Sequence, residues 1–254
     1  MGRAYLFYCY AMHHLALWVL IFCCLQGSSC ESAKEEPGKY TLISAVKTGK
    51  LEKVKERLAQ GADPNAPDVY GRRPLDWACF YDRKGDIIKA LLEGGAKIDA
   101  KDMDDWIALD WAYHAPNLNL SAIRKVIQKA IALNMLKLRG YDGKTLLHFA
   151  AVLKDEKDSK DEKSDKIVEQ LLRLGLDPNA KDRNGCTPLH YAVQNKDANK
   201  DANKDVVGIL LHAGADIEKK DNERKTPLDC VDAARKDIIV LLLSSRATRF
   251  IGSK

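Results

Sequence analysis

One short phrase recurs along the chain from residue 38 onward, and it constrains the fold more than any other feature. Its most complete copy is GCTPLHYA at 185–192, and related copies are GKTLLHFA at 143–150, GRRPLDWA at 71–78, DWIALDWA at 105–112, ERKTPLDCV at 223–231 and a weaker KYTLISAV at 39–46. A second phrase follows at a distance, as in RLAQGADPNAPD at 57–68 and LLRLGLDPNAKD at 171–182. Two phrases that alternate along a chain indicate one repeated structural unit.

The residue types in the two phrases predict what that unit is. Thr187 can satisfy the free backbone N–H groups of a helix start, and Pro188 suits the first helical position; Thr226 and Pro227 repeat this pair. The second phrase is rich in leucine and ends in a residue suited to the left-handed conformation that closes a helix. These residues are Gly61, Gly95, Gly175 and Gly214, with Asn134 in their place in the third copy. Turn-forming residues follow, so the unit is helix, helix, extended turn.

The copies are spaced 33, 34, 38, 42 and 39 residues apart, measured at the position of Pro188 in each. In motif, order and spacing the chain resembles ankyrin repeat proteins from residue 38 to about residue 250. The resemblance implies an all-α solenoid of about six helix-turn-helix repeats with projecting β-turn or hairpin fingers. The expected repeats are 38–68, 69–102, 103–140, 141–182, 183–221 and 222–250, followed by a tail at 251–254. Leucines of each unit are expected to pack against the neighbouring units.

The same resemblance implies a function in holding a protein partner on the finger tips and the concave face. His148 and His190 occupy a slot that Asp76, Asp110 and Asp229 fill in other copies, and in the family this slot ties finger to helix. We therefore expect a structural role for both histidines, and no catalytic, cofactor-binding or metal-binding residues. One further column is expected to pack between repeats; it comprises Trp77, Trp111, Phe149, Tyr191 and Cys230.

The candidate partner-binding residues lie at the finger tips, where the fold is expected to make few demands. One column comprises Arg72, Trp106, Lys144, Cys186 and Lys225, and a second comprises Tyr70, Asp104, Asp142, Asn184 and Glu223; Arg183 lies beside the second. Trp, Tyr and Arg dominate the energetics of protein interfaces, so Trp106 and Tyr70 are the predicted anchors. The alternative interpretation is a solvated rim of mixed charge.

The first thirty residues have the layout of a targeting segment. An apolar run, LALWVLIFCCL at 15–25, follows a single Arg and precedes small residues, as in a secretory signal peptide. GSSC at 27–30 resembles a bacterial lipoprotein signal, which would make Cys30 the lipidated residue. We expect residues 1–30 to be a signal peptide or membrane anchor and 31–37 a linker, giving an exported or membrane-associated chain. An alternative is a membrane-spanning helix over 4–25. A second alternative is an intracellular scaffold or host-directed effector that keeps residues 1–30 as an uncleaved anchor.

Charge and cysteine usage exclude several other classes of function. The formal charge of +5 is spread as interleaved bases and acids, so no basic face for nucleic acid stands out. The three cysteines outside the first thirty residues, Cys79, Cys186 and Cys230, have no paired short spacing, which argues against a disulfide scaffold and a zinc site. The expected partner is a protein, and the chain itself is expected to be a monomer.

Two segments are not repeat framework. NKDANKDANKD at 195–205 begins like a calcium loop, but Val206 stands where the turn glycine belongs and His212 where the closing Glu belongs. It lengthens the same helix-to-helix connection as KDEKDSKDEKSDK at 154–166, so both are predicted to be spacers. The apolar closing segment, 237–254, is either the last helix or a contact site for another chain.

Overall fold

The computed structural model describes residues 41–82, 84–116, 118–153, 163–194 and 204–251. All of them belong to one compact unit, Gly38–Lys254. The predicted targeting segment 1–30, the lipidation candidate Cys30 and the linker 31–37 lie outside the described residues.

Helices occur in consecutive pairs. The pairs are α1 Thr41–Lys47 with α2 Leu51–Ala59, α3 Pro74–Tyr81 with α4 Asp86–Glu93, α5 Ala108–Tyr113 with α6 Leu120–Ala132, α7 Leu146–Ala150 with α8 Ser164–Arg173, α9 Pro188–Val193 with α10 Lys204–His212, and a 3-10 helix Leu228–Cys230 with α11 Lys236–Ile251. Each of the six predicted repeats contains one pair, although α11 ends one residue beyond the predicted boundary at 250. Within the described ranges there is no strand, only a bridge between Arg139 and Thr145.

The pairs stack side by side in chain order. Among the first helices, α1 packs on α3, α3 on α5 and α7 on α9, while the second helices α2, α4, α6, α8, α10 and α11 pack in series. Leu91, Leu171 and Leu210 of the second helices are completely buried. Because a lone pair could not cover these side chains, the hydrophobic core runs through the stack.

The starts of the first helices follow the predicted chemistry in the repeats that carry the threonine. Thr187 is the N-cap of α9, with Pro188 as its first residue. In α7 the N-cap is Thr145, whose hydroxyl accepts the backbone N–H of His148. The Thr226 hydroxyl likewise accepts the backbone N–H of Asp229 at 3.4 Å, although the last copy forms only a single 3-10 turn, whose N-cap is Pro227. There the Asp229 carboxylate accepts both the backbone N–H and the hydroxyl of Thr226, at 2.9 and 2.7 Å, so the short turn is capped from within.

The second helices end as predicted. Gly61, Gly95, Gly175 and Gly214 have φ between +85° and +91°, and Asn134, which replaces glycine in the third copy, has φ of +54°. The residue after each turns its N–H back to the helix, as Met135 does to the Ala130 carbonyl at 2.8 Å. Asn tolerates this conformation better than most residues with a side chain, so α6 ends without a glycine.

Two polar residues that the sequence patterns did not indicate cap the second helices. Asp82 accepts the backbone N–H groups of Gly85, Ile87 and Ile88 at 2.7–3.0 Å, which satisfies the free donors at the start of α4. Asn119 does the same for α6 through Ala122. Its amide also donates to the carbonyls of Cys79 and Asp82, both at 2.9 Å, so one buried side chain ties α6 to the end of α3.

The two predicted spacers lie largely outside the described residues, which omit 154–162 and 195–203. Lys204 and Asp205, the last two residues of NKDANKDANKD, form the start of α10. Ser164 to Lys166 likewise begin α8.

The closing segment forms α11, the last helix. Ile238 and Leu242 are buried, and the helix packs on α10, whereas Val240 and Leu243 are exposed. This arrangement agrees with a final helix that covers the stack. No helix in the described ranges is both long enough and apolar enough to cross a membrane.

Substitution of Gly140 will test how tightly adjacent repeats are packed. A Cβ atom on Gly140 would overlap the Asp110 carboxylate and come within 2.8 Å of Phe149 Cζ, so we expect Gly140→Ala to destabilise the chain by ~1–3 kcal/mol. Gly208 in α10 meets nothing within 4 Å, so Gly208→Ala should stabilise it by ~0.5–1 kcal/mol. Urea unfolding of both variants measures the difference, and equal shifts of the same sign would contradict the packing described.

Candidate functional site

Each finger begins with a residue that closes its turn. In four of the five fingers this base residue is an aspartate: Asp68, Asp102, Asp182 or Asp221. One carboxylate oxygen accepts the backbone N–H groups two and four residues later at 2.8–2.9 Å. The backbone N–H of the aspartate donates to the carbonyl four residues later at 2.8–3.0 Å. A single side chain therefore fixes the shape of each turn.

The second oxygen of the same carboxylate holds the following helix. Trp77 Nε1 donates to Asp68 at 3.1 Å, Trp111 Nε1 to Asp102 at 2.9 Å, and the Tyr191 hydroxyl to Asp182 at 2.6 Å. In every case the aromatic residue lies nine positions after the aspartate. The aromatic column thus has a specific task, which is to anchor a finger to the first helix of its own repeat.

The third finger lacks both partners of this interaction. Gly140 replaces the aspartate and Phe149, which has no hydrogen-bond donor, replaces the Trp or Tyr. The space above Gly140 is taken by Asp110 of the preceding repeat, which accepts the backbone N–H of Tyr141 at 2.9 Å. Here the finger is held from the neighbouring repeat.

The aromatic rings form a continuous ladder along the first helices. Consecutive ring centroids are 4.7–6.1 Å apart along Tyr81, Trp77, Trp111, Trp106, His114, Tyr113 and Tyr191. Aromatic pairs at such spacings stabilise beyond their buried area alone. The expected packing of this column between repeats is therefore present, and Tyr81 at one end of the ladder is 44% exposed.

The histidine and aspartate slot links successive repeats. The His148 Nδ1 atom accepts the backbone N–H of Thr145 at 3.0 Å, which leaves the proton on Nε2 for the Cys186 carbonyl of the next repeat at 3.1 Å. His190 makes the same pair of bonds, with Thr187 and with the Lys225 carbonyl at 3.2 Å. Both side chains are fully buried. These bonds are the ones expected of the slot, and they use both ring nitrogens.

The prediction that the first column of tip residues is free for a partner is wrong for Arg72, Trp106 and Lys144. These side chains fold back beneath the fingers and are only 8%, 7% and 3% exposed. The Arg72 guanidinium lies 4.9 Å from the Trp77 ring, and the Lys144 ammonium lies 5.0 Å from Tyr113 and pairs with Asp142. Trp106 packs between Trp111 and His114, so burial excludes it as an exposed anchor. Lys225 is the exception; it is exposed and pairs with Glu223 at 2.7 Å.

The second column does reach solvent. Tyr70 is 51% exposed; Asp104, Arg183, Asn184 and Glu223 are exposed, and Asp142 is partly so. Three further apolar tip residues were missed by sequence reasoning: Val69, Met103 and Tyr141, which are 62%, 75% and 36% exposed. The signal that could have found the first two is their position directly after the base aspartate.

No group of His, Cys, Asp and Glu in the described part of the chain is arranged to hold a metal ion.

A family model for ankyrin repeats matches residues 7–102, 104–221 and 157–249. The chain belongs to the ankyrin repeat family. Its all-α fold is accordingly an ankyrin repeat solenoid, the fold predicted from the repeated phrases. Such repeats generally mediate protein–protein interaction and are typically not enzymatic.

Individual relatives agree with this assignment. The chain is 27% identical over 218 residues to the putative ankyrin repeat protein YahD of Escherichia coli, covering 85% of the chain and all of that protein. It is 27% identical over 220 residues to the putative palmitoyltransferase ZDHHC13 of Danio rerio, covering 85% of the chain but 31% of that protein. The chain spans less than a third of the length of several curated relatives. The partial match to ZDHHC13 is therefore not evidence of catalysis by this chain.

A solved structure has the same fold. The crystal structure of EF0377, an ankyrin repeat protein, matches with a TM-score of 0.56 and 24% identity over 81% of this chain and 97% of that one. At this level of identity the likeness concerns the fold.

The slot residues give the ankyrin repeats opposing pH responses. Burial raises the pKa of Asp76 to about 7 and that of Asp110 to about 6, although hydrogen bonds from backbone N–H groups oppose the shift. In the protonated form each buried carboxyl stabilises the folded chain. This contribution is complete below the pKa of the unfolded chain, and it is lost as the pH rises to 6–7. Burial lowers the pKa of His148 to about 4, so its contribution is present above pH 6.5 and is lost as the pH falls towards 4.

The carboxyl response can be isolated with Asp76→Asn. The amide keeps an acceptor for the Arg73 N–H but cannot ionise, so we expect the variant to gain ~1–3 kcal/mol of stability over the native chain between pH 4.5 and pH 8. Urea unfolding across this range measures it. Asp229→Asn is the matched control, because Asp229 fills the same slot, is exposed and has a lowered pKa. If the Asp76→Asn difference stays as constant with pH as that of the control, the assignment is wrong.

Proposed function

We propose that the chain is a non-enzymatic interaction module that binds a protein partner through its finger tips and the face formed by its first helices. The observation that carries this proposal is the placement of exposed apolar side chains. Five of the nine large ones in the described residues lie on this side: Val69, Tyr70, Met103 and Tyr141 on the tips and Tyr81 at the end of α3. Apolar and aromatic side chains gathered on one face are typical of a binding surface.

The hydrogen-bonded layer beneath this surface also supports the proposal. The ring ladder and the base aspartates are held by hydrogen bonds of 2.6–3.1 Å, so the face is ordered before a partner arrives. Binding to a preformed surface loses little conformational entropy. The ionisable side chains that could suggest catalysis, His148 and His190, have both ring nitrogens engaged within the fold.

Site-specific photo-crosslinking tests this function. A benzophenone amino acid placed at Tyr81 or at Tyr70 in the full chain should give a discrete adduct with a protein in the cells that express it. The same amino acid at Leu174, which is 44% exposed in the turn after α8, is the matched control and should give none. Adducts are measured by gel shift and mass spectrometry. An adduct pattern that is the same at all three positions, or no adduct at Tyr81 and Tyr70, would contradict the proposal.

We further propose that the chain is a monomer that is exported or held at a membrane by residues 1–30. The support is the apolar run at 15–25 after a single Arg, together with the small residues that end in Cys30. Cleavage and lipidation at Cys30 would leave a mature chain that begins at that residue and carries acyl mass. Intact mass of the chain recovered from the membrane and soluble fractions measures this. A chain that still begins at Met1 and is found only in the soluble intracellular fraction would contradict it.

A further inference from the structure

The tips of the first three fingers differ from those of the last two. We define the tip stripe as residues 69–71, 103–105 and 141–143, the three residues that follow the base of each of these fingers. It carries four exposed apolar side chains, Val69, Tyr70, Met103 and Tyr141. The equivalent residues of the last two fingers, 183–185 and 222–224, are Arg, Asn, Gly and Asn, Glu, Arg. The apolar character therefore stops after the third finger.

The charged residues of the tip stripe all have one sign. They are Asp104, Asp105 and Asp142, whereas the last two fingers carry two arginines and one glutamate, Glu223, at equivalent positions. Asp105 pairs with Lys101 at 3.3 Å and Asp142 pairs with Lys144, but both cations lie outside the stripe itself. Asp104 is exposed directly beside Met103. A partner that covers the stripe meets apolar surface and carboxylates together.

The exposed side chains fall into two parallel rows. One row comprises Val69, Met103 and Tyr141, which directly follow the finger bases, and the other comprises Tyr70, Asp104 and Asp142. The first two fingers are joined by their backbones, since Met103 N–H donates to the Tyr70 carbonyl at 3.1 Å, and the third is held by the Asp110 carboxylate of α5, which accepts Tyr141 N–H at 2.9 Å. The first row is apolar throughout, and the second is acidic in two of its three positions.

An extended chain places successive side chains on opposite sides of its backbone. A strand lying edge-on between the two rows would therefore direct alternate side chains to the apolar row and to the acidic row. The chain itself provides one example of a cation at this surface, because the Arg183 guanidinium lies 5.1 Å from the Tyr141 ring at the end of the stripe. A guanidinium or ammonium is favourable both over such a ring and beside a carboxylate.

We propose that the tip stripe binds an extended segment of a partner protein in which apolar side chains alternate with Lys or Arg. This inference rests on the proposed function and specifies the partner's chemistry. The last two fingers take no part in holding this segment, because neither tip carries an apolar side chain and both carry an arginine; the one carboxylate there, Glu223, pairs with Lys225 at 2.7 Å.

The test uses the full chain and three fluorescein-labelled decapeptides. The first alternates Leu and Lys, the second alternates Leu and Glu, and the third has the composition of the first in two blocks, five Leu and then five Lys. Fluorescence polarisation should show binding of the alternating Leu–Lys peptide, with at least tenfold weaker binding of the other two. No binding of the Leu–Lys peptide, or equal binding of all three, would overturn the proposal.

Two pairs of variants locate the binding on the stripe. Asp104→Lys should weaken binding of the Leu–Lys peptide at least tenfold, whereas Glu223→Lys, the same charge change at the equivalent position of the fifth finger, should weaken it by less than threefold. Met103→Ser should also weaken binding, and Leu133→Ser, at an apolar side chain 52% exposed outside the stripe, should not. Circular dichroism confirms that all four variants are folded.

The outcomes separate this inference from the proposed function. Equal loss with Asp104→Lys and Glu223→Lys would show attraction to net charge and would overturn the stripe assignment. If the Leu–Lys peptide does not bind as expected while the benzophenone at Tyr81 still gives a specific adduct, the proposed interaction module is supported and only the assignment of the tip stripe is wrong. If both fail, the proposed function falls as well.

Discussion

The carboxylate of the base aspartate is the interaction on which four of the five fingers depend, and in three of them it binds the following helix as well. One oxygen closes the turn on two backbone N–H groups, and the other receives the indole or phenol of a residue nine positions later. Because these groups are buried or half-buried, losing either partner would leave a desolvated polar atom, which is far more costly than the net gain of an ordinary hydrogen bond. Finger shape and helix placement are therefore set by one side chain, and the ring that it fixes becomes part of the ladder against which the next repeat packs.

The junctions between repeats use a different slot with two kinds of side chain. A histidine donates forward to a carbonyl of the next finger, as His148 does to Cys186, whereas Asp110 accepts a backbone N–H from the next finger. The two solutions have opposite ionisation costs, since burial favours the neutral form of both groups but lowers the pKa of the imidazole and raises that of the carboxyl. The stack thus combines junctions that weaken towards acid with junctions that weaken towards base, and its stability depends on both.

Much of this fold could be predicted from the sequence because the repeats supply several copies of each local signal. Helix starts at Thr–Pro, left-handed glycines and the replacement by Asn134 are local backbone chemistry that six copies make visible. The fate of the tip residues could not be predicted in the same way. Arg72, Trp106 and Lys144 occupy positions that a turn leaves unconstrained, and aromatic rings of the first helices lie against them. The ring comes from the following helix for Arg72 and Trp106, and from Tyr113 of the preceding repeat for Lys144. That contact joins two elements, so single-position columns did not indicate it. The signal that was available is the paired change at Gly140 and Phe149, where aspartate and hydrogen-bonding ring are lost together.

Some finger residues hold the fold and others only present a side chain to solvent, and this difference determines which positions can vary. Within a finger the base aspartate, the buried cation or indole and the ring nine residues on are committed to the fold, so substitution there changes stability before it changes recognition. The two residues after the base donate and accept through their backbones, as Met103 and Tyr70 do, while their side chains point to solvent. Side-chain identity at these two positions can therefore change without affecting the turn. The change from Val, Tyr and Met on the early fingers to Arg, Asn and Glu on the later ones lies at these positions, where the structure does not require it, so the exposed apolar side chains of the early fingers are available to the proposed partner.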